Sequence, residues 1–196
     1  FRSSSRKLRF TKMHGAGNDF IVLNGIDQDL SDITRDQWRN LAHRQFGIGA
    51  DQILLVEKAT RADADFRYRI FNADGGEVEQ CGNGSRCFVR FVLDHGLSNK
   101  NPLKVEVAHA VLTLHAQADG QVEVNMGAPI FDPALVPFNP DGLPSLQEFH
   151  EMLYALQLRT PADHDDWVGV LSMGNPHAVQ VVVDVDSAPV LQEGPA

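Results

Sequence analysis

The sequence predicts an α+β fold in which a curved mixed sheet wraps around one central buried helix. Three observations carry that expectation. Short strand patterns recur from Leu8 to Gly127, two helical patterns interrupt them, and the second helical pattern is apolar on nearly every side. A helix with no polar face must be enclosed by other elements.

The strands come first. "FIVLN" (20–24) and "QILLVE" (52–57) are apolar runs of strand length. "DFRYRIFN" (65–72) alternates, with Phe66, Tyr68 and Ile70 on one face and Arg67 and Arg69 on the other. "LKVEVAHAVLTLHAQADGQVEVNMG" (103–127) reads as a hairpin region, with "ADGQ" supplying a turn. The first helix begins at Thr34, whose partner Gln37 completes a capping box. Its stripe runs through Trp38, Leu41, Ala42 and on to Gln45–Phe46, and Gly47 supplies the stop. The second helix is "SRCFVRFVLDHG" (85–96), closed by His95 and Gly96. Strands and helices in this order give a strand-rich α+β unit rather than an open βαβ sheet.

The texture changes after Gly127. "APIFDPALVPFNPDGLP" (128–144) is rich in proline, as a crossover is. "SLQEFHEMLYALQL" (145–158) has the pattern of a short amphipathic helix, and "DWVGVLSMGNPHAVQVVVDV" (166–185) returns to strands. The expected organisation is a disordered leader or cloning scar over 1–7, a first domain over 8–127 carrying the Cys81 motif, and a second domain, incomplete as it stands, over 128–196.

Composition narrows the function. The net charge is −9 over 196 residues, which argues against a nucleic-acid groove, because phosphate binding needs clustered cations. A small-molecule ligand fits better. The longest apolar run, "VQVVVDV", is far too short for a membrane-spanning helix. The two cysteines, Cys81 and Cys87, suit a reducing compartment, and the cytoplasm is the expectation.

"EQCGNGSRC" (79–87) concentrates the chemistry. Cys81 lies in a Gly-Asn turn directly before the apolar helix, where unpaired N–H groups and the helix dipole stabilise anions. A thiol's ordinary pKa of about 8.5 is lowered in such a setting, and the thiol becomes a base or nucleophile. Cys87, inside the apolar helix, reads as a buried structural thiol. A metal clip is the weaker reading, since the cysteine spacing and the eight histidines lack zinc-ligand patterns, and "DHDDW" (163–167) reads as a solvated turn. Asn18, Gln52, Asn72, Asn83 and Asn175 each sit beside Gly, Asp or Pro near a strand or helix end. Together they suggest a polar pocket that orients carboxylate and ammonium groups. "GAGNDF" is no dinucleotide fingerprint, because it precedes a strand rather than a helix.

"KMHGAGNDF", "GIGADQ", "YRIFNADGGEVEQCGNGSRCF", "VNMGAP" and "SMGNPHAV" resemble, in order, the signatures of the diaminopimelate epimerase family. The resemblance implies a fold of two pseudo-symmetric domains and a homodimer. It implies interconversion of LL- and meso-diaminopimelate, on the route to lysine and peptidoglycan precursors, without a cofactor, by two cysteines on opposite faces of the substrate α-carbon. It makes Cys81 one of that pair. Gly82 and Asn83 then offer backbone N–H groups to the α-carboxylate, Asn18, Gln52, Asn72 and Asn175 contact the substrate, and His177 tunes the cysteines. The sequence departs from the family pattern at Val107 and Ala110, where Thr and Gly are usual. It also lacks the family's second Cys-Gly motif, so this polypeptide is expected to be inactive as an epimerase. The alternatives are a related isomerase or racemase of the same fold, and a non-catalytic amino-acid-binding module.

Overall fold

The computed structural model describes residues 7–78, 82–108, 110–148, 151–156 and 166–194. The leader assigned to the first residues therefore lies almost wholly outside the described residues. The chain divides into two compact units, Phe1–Met126 and Gly127–Ala196.

The first unit opens with β1 (Thr11–Gly15) and β2 (Asn18–Asn24), an antiparallel hairpin in which Gly15 pairs with Asn18. Its two loop residues, Ala16 and Gly17, have φ of 52° and 87°. Two successive left-handed residues make the tight turn whose twist matches a hairpin. "GAGN" is thus a hairpin turn, as its position before a strand predicts. After α1 (Arg35–Ala42) come β3 (Gln52–Lys58), β4 (Phe66–Asn72) and β5 (Glu77–Val78). The chain continues through α2 (Gly82–Asp94), β6 (Leu103–Glu106), β7 (Val111–Ala116) and β8 (Val122–Val124). These strands form one eight-stranded sheet in the order β1-β2-β3-β4-β6-β7-β8, with β5 also paired to β4. The sheet is mixed, because β2 runs parallel to β3 and β4 parallel to β6.

The continuous apolar runs have a direct explanation. The central strands are covered on both faces. Phe20, Val22, Leu54, Val56, Tyr68 and Ile70 face Phe88, Val89, Phe91 and Val92 of α2. Ile21, Leu23, Ile53, Leu55 and Phe71 face Trp38 and Ala42 of α1. The sequence alternation of β4 is realised, and the apolar helix is enclosed by the sheet as predicted. Fully burying a side chain such as Phe88 contributes roughly 1.5–3 kcal/mol, so the side chains that α2 buries add several kcal/mol to the stability of the unit.

The helix ends refine the expectations. Thr34 caps α1 with both halves of the capping box. However, α1 stops at Ala42, and Phe46 is 90% exposed, so the stripe does not reach it. The cause is local: Ile48 and Gly49 N–H groups bond the Leu41 carbonyl and Ala50 N–H bonds the Ala42 carbonyl, folding the following loop back onto the helix end. At the other end, α2 begins at Gly82, earlier than the sequence pattern suggested.

The second unit is an antiparallel sheet of β9 (Ser145–Glu148), β10 (Glu151–Leu156), β11 (Asp166–Ser172) and β12 (Pro176–Gln180), in the order β12-β11-β10-β9. A short helix, α3 (Val190–Glu193), follows. The amphipathic helix expected over 145–158 is instead a hairpin, Ser145 pairing with Tyr154 and Glu148 with Glu151. Pairing of β10 with β11 buries Tyr154 and Ala155, and that long-range partner overrides the local helical stripe. The "VVVDV" stretch also leaves the sheet, since β12 ends at Gln180.

Candidate active site

Strand direction assembles the site. Asn18 opens β2 and Gln52 opens β3, and these strands are parallel, so both amides stand at the same end of the sheet. β4 runs antiparallel to β3 and ends at Asn72, directly opposite Gln52. The three predicted amides are therefore neighbours by topology. Gln52 Nε2 donates to Asn72 Oδ1 at 2.8 Å, which sets the orientation of both side chains. Gln52 Oε1 is buried and has no hydrogen-bond partner among the described residues. It is an acceptor in search of an N–H, such as a ligand ammonium supplies.

The start of α2 is held at this same end. A Cβ on Gly15, the partner of Asn18, would lie 3.0 Å from the Asn83 carbonyl oxygen. A Cβ on Gly84 would lie 2.9 Å from Ile70 Cδ1 and 3.2 Å from the Tyr68 hydroxyl. Glycine at these positions lets the first turn of α2 press against the β1–β2 hairpin and the inner face of the sheet. The first-turn N–H groups of Gly82, Asn83 and Gly84 have no acceptor within the helix, and that turn carries no acidic side chain to neutralise its dipole. This thirteen-residue helix therefore presents an anion-favouring end beside the amides. Cys81, on which the acid/base reading rests, precedes Gly82 and lies outside the described residues.

The strand that leads to the thiol is anchored. Arg69 grips Glu77 of β5 through two bonds of 2.7 Å, and its guanidinium lies 5.1 Å from the centre of the Phe71 ring. The Arg69 hydrogen bond, more than any other influence, holds the Glu77 carboxyl below its ordinary pKa.

Four charged residues that the sequence reading missed lie beside the amides. Asp19 N–H donates to Asp51 Oδ2 at 3.1 Å, and Asp51 N–H donates to Asp19 Oδ1 at 2.8 Å. Arg44 bridges them, its Nη2 lying 2.9 Å from Asp19 Oδ1 and 2.7 Å from Asp51 Oδ1. Lys12 bonds Asp19 and the Gly49 carbonyl, and Asn18 Nδ2 donates to Asp51 Oδ2 at 3.2 Å. Arg44 first, and Lys12 after it, keep the Asp19 carboxyl well below the usual carboxylate range. The signal was present in "GNDF" and "GADQ", each of which sets an aspartate beside one of these amides.

Asn175 and His177 lie exposed in the second unit, Asn175 in the β11–β12 turn and His177 in β12 opposite Leu171, with His177 Nδ1 2.9 Å from the Asn175 carbonyl oxygen. Cys87 is 2% exposed among the apolar residues of α2, as predicted for a structural thiol. Val107 N–H bonds the Ala110 carbonyl at 2.9 Å to close the β6–β7 turn, and the Val107 side chain is buried there. Among the described residues, no three His, Cys, Asp or Glu side chains are placed to hold a metal ion. The acidic run at 163–165 lies outside the described residues. No described helix is long and apolar enough to cross a membrane.

Comparison with known proteins gives a consistent result. A family model described as diaminopimelate epimerase matches residues 10–131. The chain is 61% identical to a diaminopimelate epimerase of Cupriavidus pinatubonensis over 189 residues, covering 96% of this chain and 64% of that protein. It is 57% identical to one of Burkholderia thailandensis, covering 97% of this chain and 65% of that protein. The chain thus spans about 64% of the length of the Cupriavidus relatives. A crystal structure of a hydroxyproline epimerase from Agrobacterium vitis aligns at TM-score 0.65 with 17% identity, over 97% of this chain and 58% of that one. A probable proline racemase from Agrobacterium radiobacter aligns at TM-score 0.62 with 15% identity, over 94% and 56%. At such identities the structural likeness speaks for the fold alone.

Proposed function

The chain belongs to the diaminopimelate epimerase family, and from that premise we propose that Cys81 is one of two acid/base groups that invert the α-carbon of diaminopimelate without a cofactor. The thiolate of Cys81 takes the α-proton and becomes S–H. The electron pair left on the α-carbon spreads into the α-carboxylate, and a thiol on the opposite face returns a proton to carbon. LL- and meso-diaminopimelate interconvert, and no redox change or external reactant is needed.

One observation supports this assignment above the others: α2 opens at Gly82, immediately after Cys81, at the sheet end where Asn18, Gln52 and Asn72 stand. N–H groups of Gly82 and Asn83 stabilise the charge that develops on the carboxylate as the proton leaves, as an oxyanion site does. Asn18, Gln52 and Asn72 orient the substrate without competing for its proton. Asn175 as a further substrate contact and His177 as the group that tunes the thiols rest on the family resemblance, as do the homodimer, the cytoplasmic location and the place in lysine and peptidoglycan precursor synthesis.

Two-base inversion needs a second thiol. The other cysteine, Cys87, is 2% exposed inside α2 and does not serve. A polypeptide of these 196 residues is therefore expected to exchange the α-proton of LL-diaminopimelate without inverting the centre. Incubation in heavy water followed by mass spectrometry and chiral chromatography checks this. The expected outcome is slow α-deuteration with no meso product, abolished in Cys81→Ala. Deuteration that survives Cys81→Ala removes the assigned role, and meso product from this polypeptide refutes the need for a second thiol.

A further inference from the structure

The charged cluster beside the amides carries an inference that deepens the proposed function and rests on its assignment of Asn18 and Gln52. We propose that Arg44 is a positioning residue of the substrate site: by clamping Asp19 to Asp51 it fixes the Asn18 and Gln52 amides at the ends of the parallel strands β2 and β3.

The geometry sets a problem that Arg44 solves. Asp19 and Asp51 each precede one member of the register pair Phe20–Gln52, and each accepts the other's backbone N–H. That exchange ties the strand starts together, but it also brings two carboxylates side by side, and like charges so close push apart. Arg44 Nη2 bonds one oxygen of each, and Nη1 reaches Asp19 Oδ2 at 3.2 Å. A guanidinium fork spans two carboxylates in this way and an ammonium does not. Lys12 adds the second positive charge, so the cluster is balanced.

The clamp reaches the site by the shortest route. Asp19 is covalently next to Asn18, and Asp51 is next to Gln52. Asp51 Oδ2 also accepts from Asn18 Nδ2 at 3.2 Å, which links the clamp directly to the Asn18 amide. Gly49 makes room for the arrangement. Its φ is +80°, and a Cβ there would meet Arg44 Cα at 2.9 Å. The side chain of Arg44 is 58% exposed, so its ion pairs contribute little to overall stability. Its consequence lies in orientation.

Nuclear magnetic resonance of the isotope-labelled 196-residue protein tests this without substrate. In Arg44→Ala the side-chain NH2 signals of Asn18 and Gln52 are expected to shift. The backbone N–H groups of Asp19 and Asp51 are expected to exchange with solvent about tenfold faster or more, while those of β6 and β7 keep their rates. Arg44→Lys is expected to leave the Asn18 signal displaced, and Arg39→Ala, which removes only a surface pair with Asp36, is expected to change none of these signals. Unmoved Asn18 and Gln52 signals in Arg44→Ala overturn the proposal, as does faster exchange spread equally over all strands. If Arg44→Ala does not fold, Arg44→Lys decides alone: a displaced Asn18 signal supports the clamp and an unmoved one overturns it. Titrating the parent protein with LL-diaminopimelate separates the two readings. Failure of the Asn18 and Gln52 signals to respond counts against the substrate assignment, whereas an unmoved Arg44→Ala spectrum counts against the clamp.

Discussion

In the first unit the inner faces of β2, β3 and β4 close on α2, and Phe20, Leu54, Tyr68 and Phe88 are sealed from water. In the second, the cluster of Tyr154, Val168 and Val170 is small, every residue of β12 is exposed, and Val181 and Leu191 are 90% and 88% exposed. A groove of about 890 Å³, lined by residues that include Leu156, Val168 and Val185, runs through that unit, and neither Asn175 nor His177 lines it. Apolar strands occur in both units, β3 (QILLVEK) in the first and β11 (DWVGVLS) in the second, but β9 (SLQE) and β12 (PHAVQ) are exposed along their whole length. Apolar strands contribute stability only in proportion to what covers them, and α2 is the cover that makes the first unit a core.

The largest contrast is Phe88→Ala against Phe138→Ala. Phe88 is 0% exposed, and its truncation should cost the first unit about 3–5 kcal/mol. Phe138 packs on Tyr154 but keeps contact with water, so its truncation should cost the second unit on the order of 1 kcal/mol. Urea unfolding followed separately at Trp38 and at Trp167 measures both, and equal losses would erase the distinction.

Glycine substitutions probe the same contrast at finer scale. Alanine at Gly84 must displace Ile70 and Tyr68, and a loss of about 1–3 kcal/mol is expected. Alanine at Gly169 in β11 meets Leu153 Cδ2 at an ordinary 3.5 Å, and a change within about 0.5 kcal/mol is expected. Thermal midpoints of the two variants, read at the tryptophan of the same unit, provide the check.

The smallest effect is in acid. Asp19, Asp65, Glu77 and Glu106 of the first unit have lowered pKa values, caused chiefly by hydrogen bonds from Arg44, Lys100, Arg69 and Thr60 respectively. In the second unit, only Asp184 among the described residues has a resolved shift. A carboxyl whose folded pKa is depressed stabilises above its unfolded pKa of about 4 and loses that contribution as pH falls towards the folded value. Denaturant midpoints at Trp38 should therefore fall below about pH 4 more steeply than those at Trp167. Parallel curves would mean that these bonds persist in the unfolded chain.

The local part of this molecule was readable from its residues. Thr34 and Gln37 announced the start of α1, the alternation of Phe66, Tyr68 and Ile70 announced a one-faced strand, and the apolar ring of α2 announced its enclosure. What escaped depends on partners remote in sequence. The stretch 145–156 carries a helical stripe, and only pairing of β10 with β11 makes it a hairpin. Phe46 fits the stripe of α1, yet the loop that ends the helix is held by carbonyls of Leu41 and Ala42. At the candidate site, the expectation singled out Asn18, Gln52 and Asn72 because each sits in a turn-forming motif, while nothing in the sequence singled out Arg44. Its meaning appears only when β2 and β3 bring two aspartates together.

The parallel pairing of β2 and β3 has one more consequence. The chain leaves β2 at Asn24, at the far end of the sheet, and must travel back to enter β3 beside the residues with which β2 began. The connection therefore has two halves with different freedom. Residues added or removed between 25 and 34 change length at the end remote from the amides, where the main anchors are Leu30 in the core and Thr34 at the cap of α1. Between His43 and Asp51 the path is tied to α1 and to Lys12, Asp19 and Arg44, and a single added residue would move Gln52 out of line with Asn72. An inserted residue is therefore expected to cost more stability in the returning half of this crossover than in its outward half.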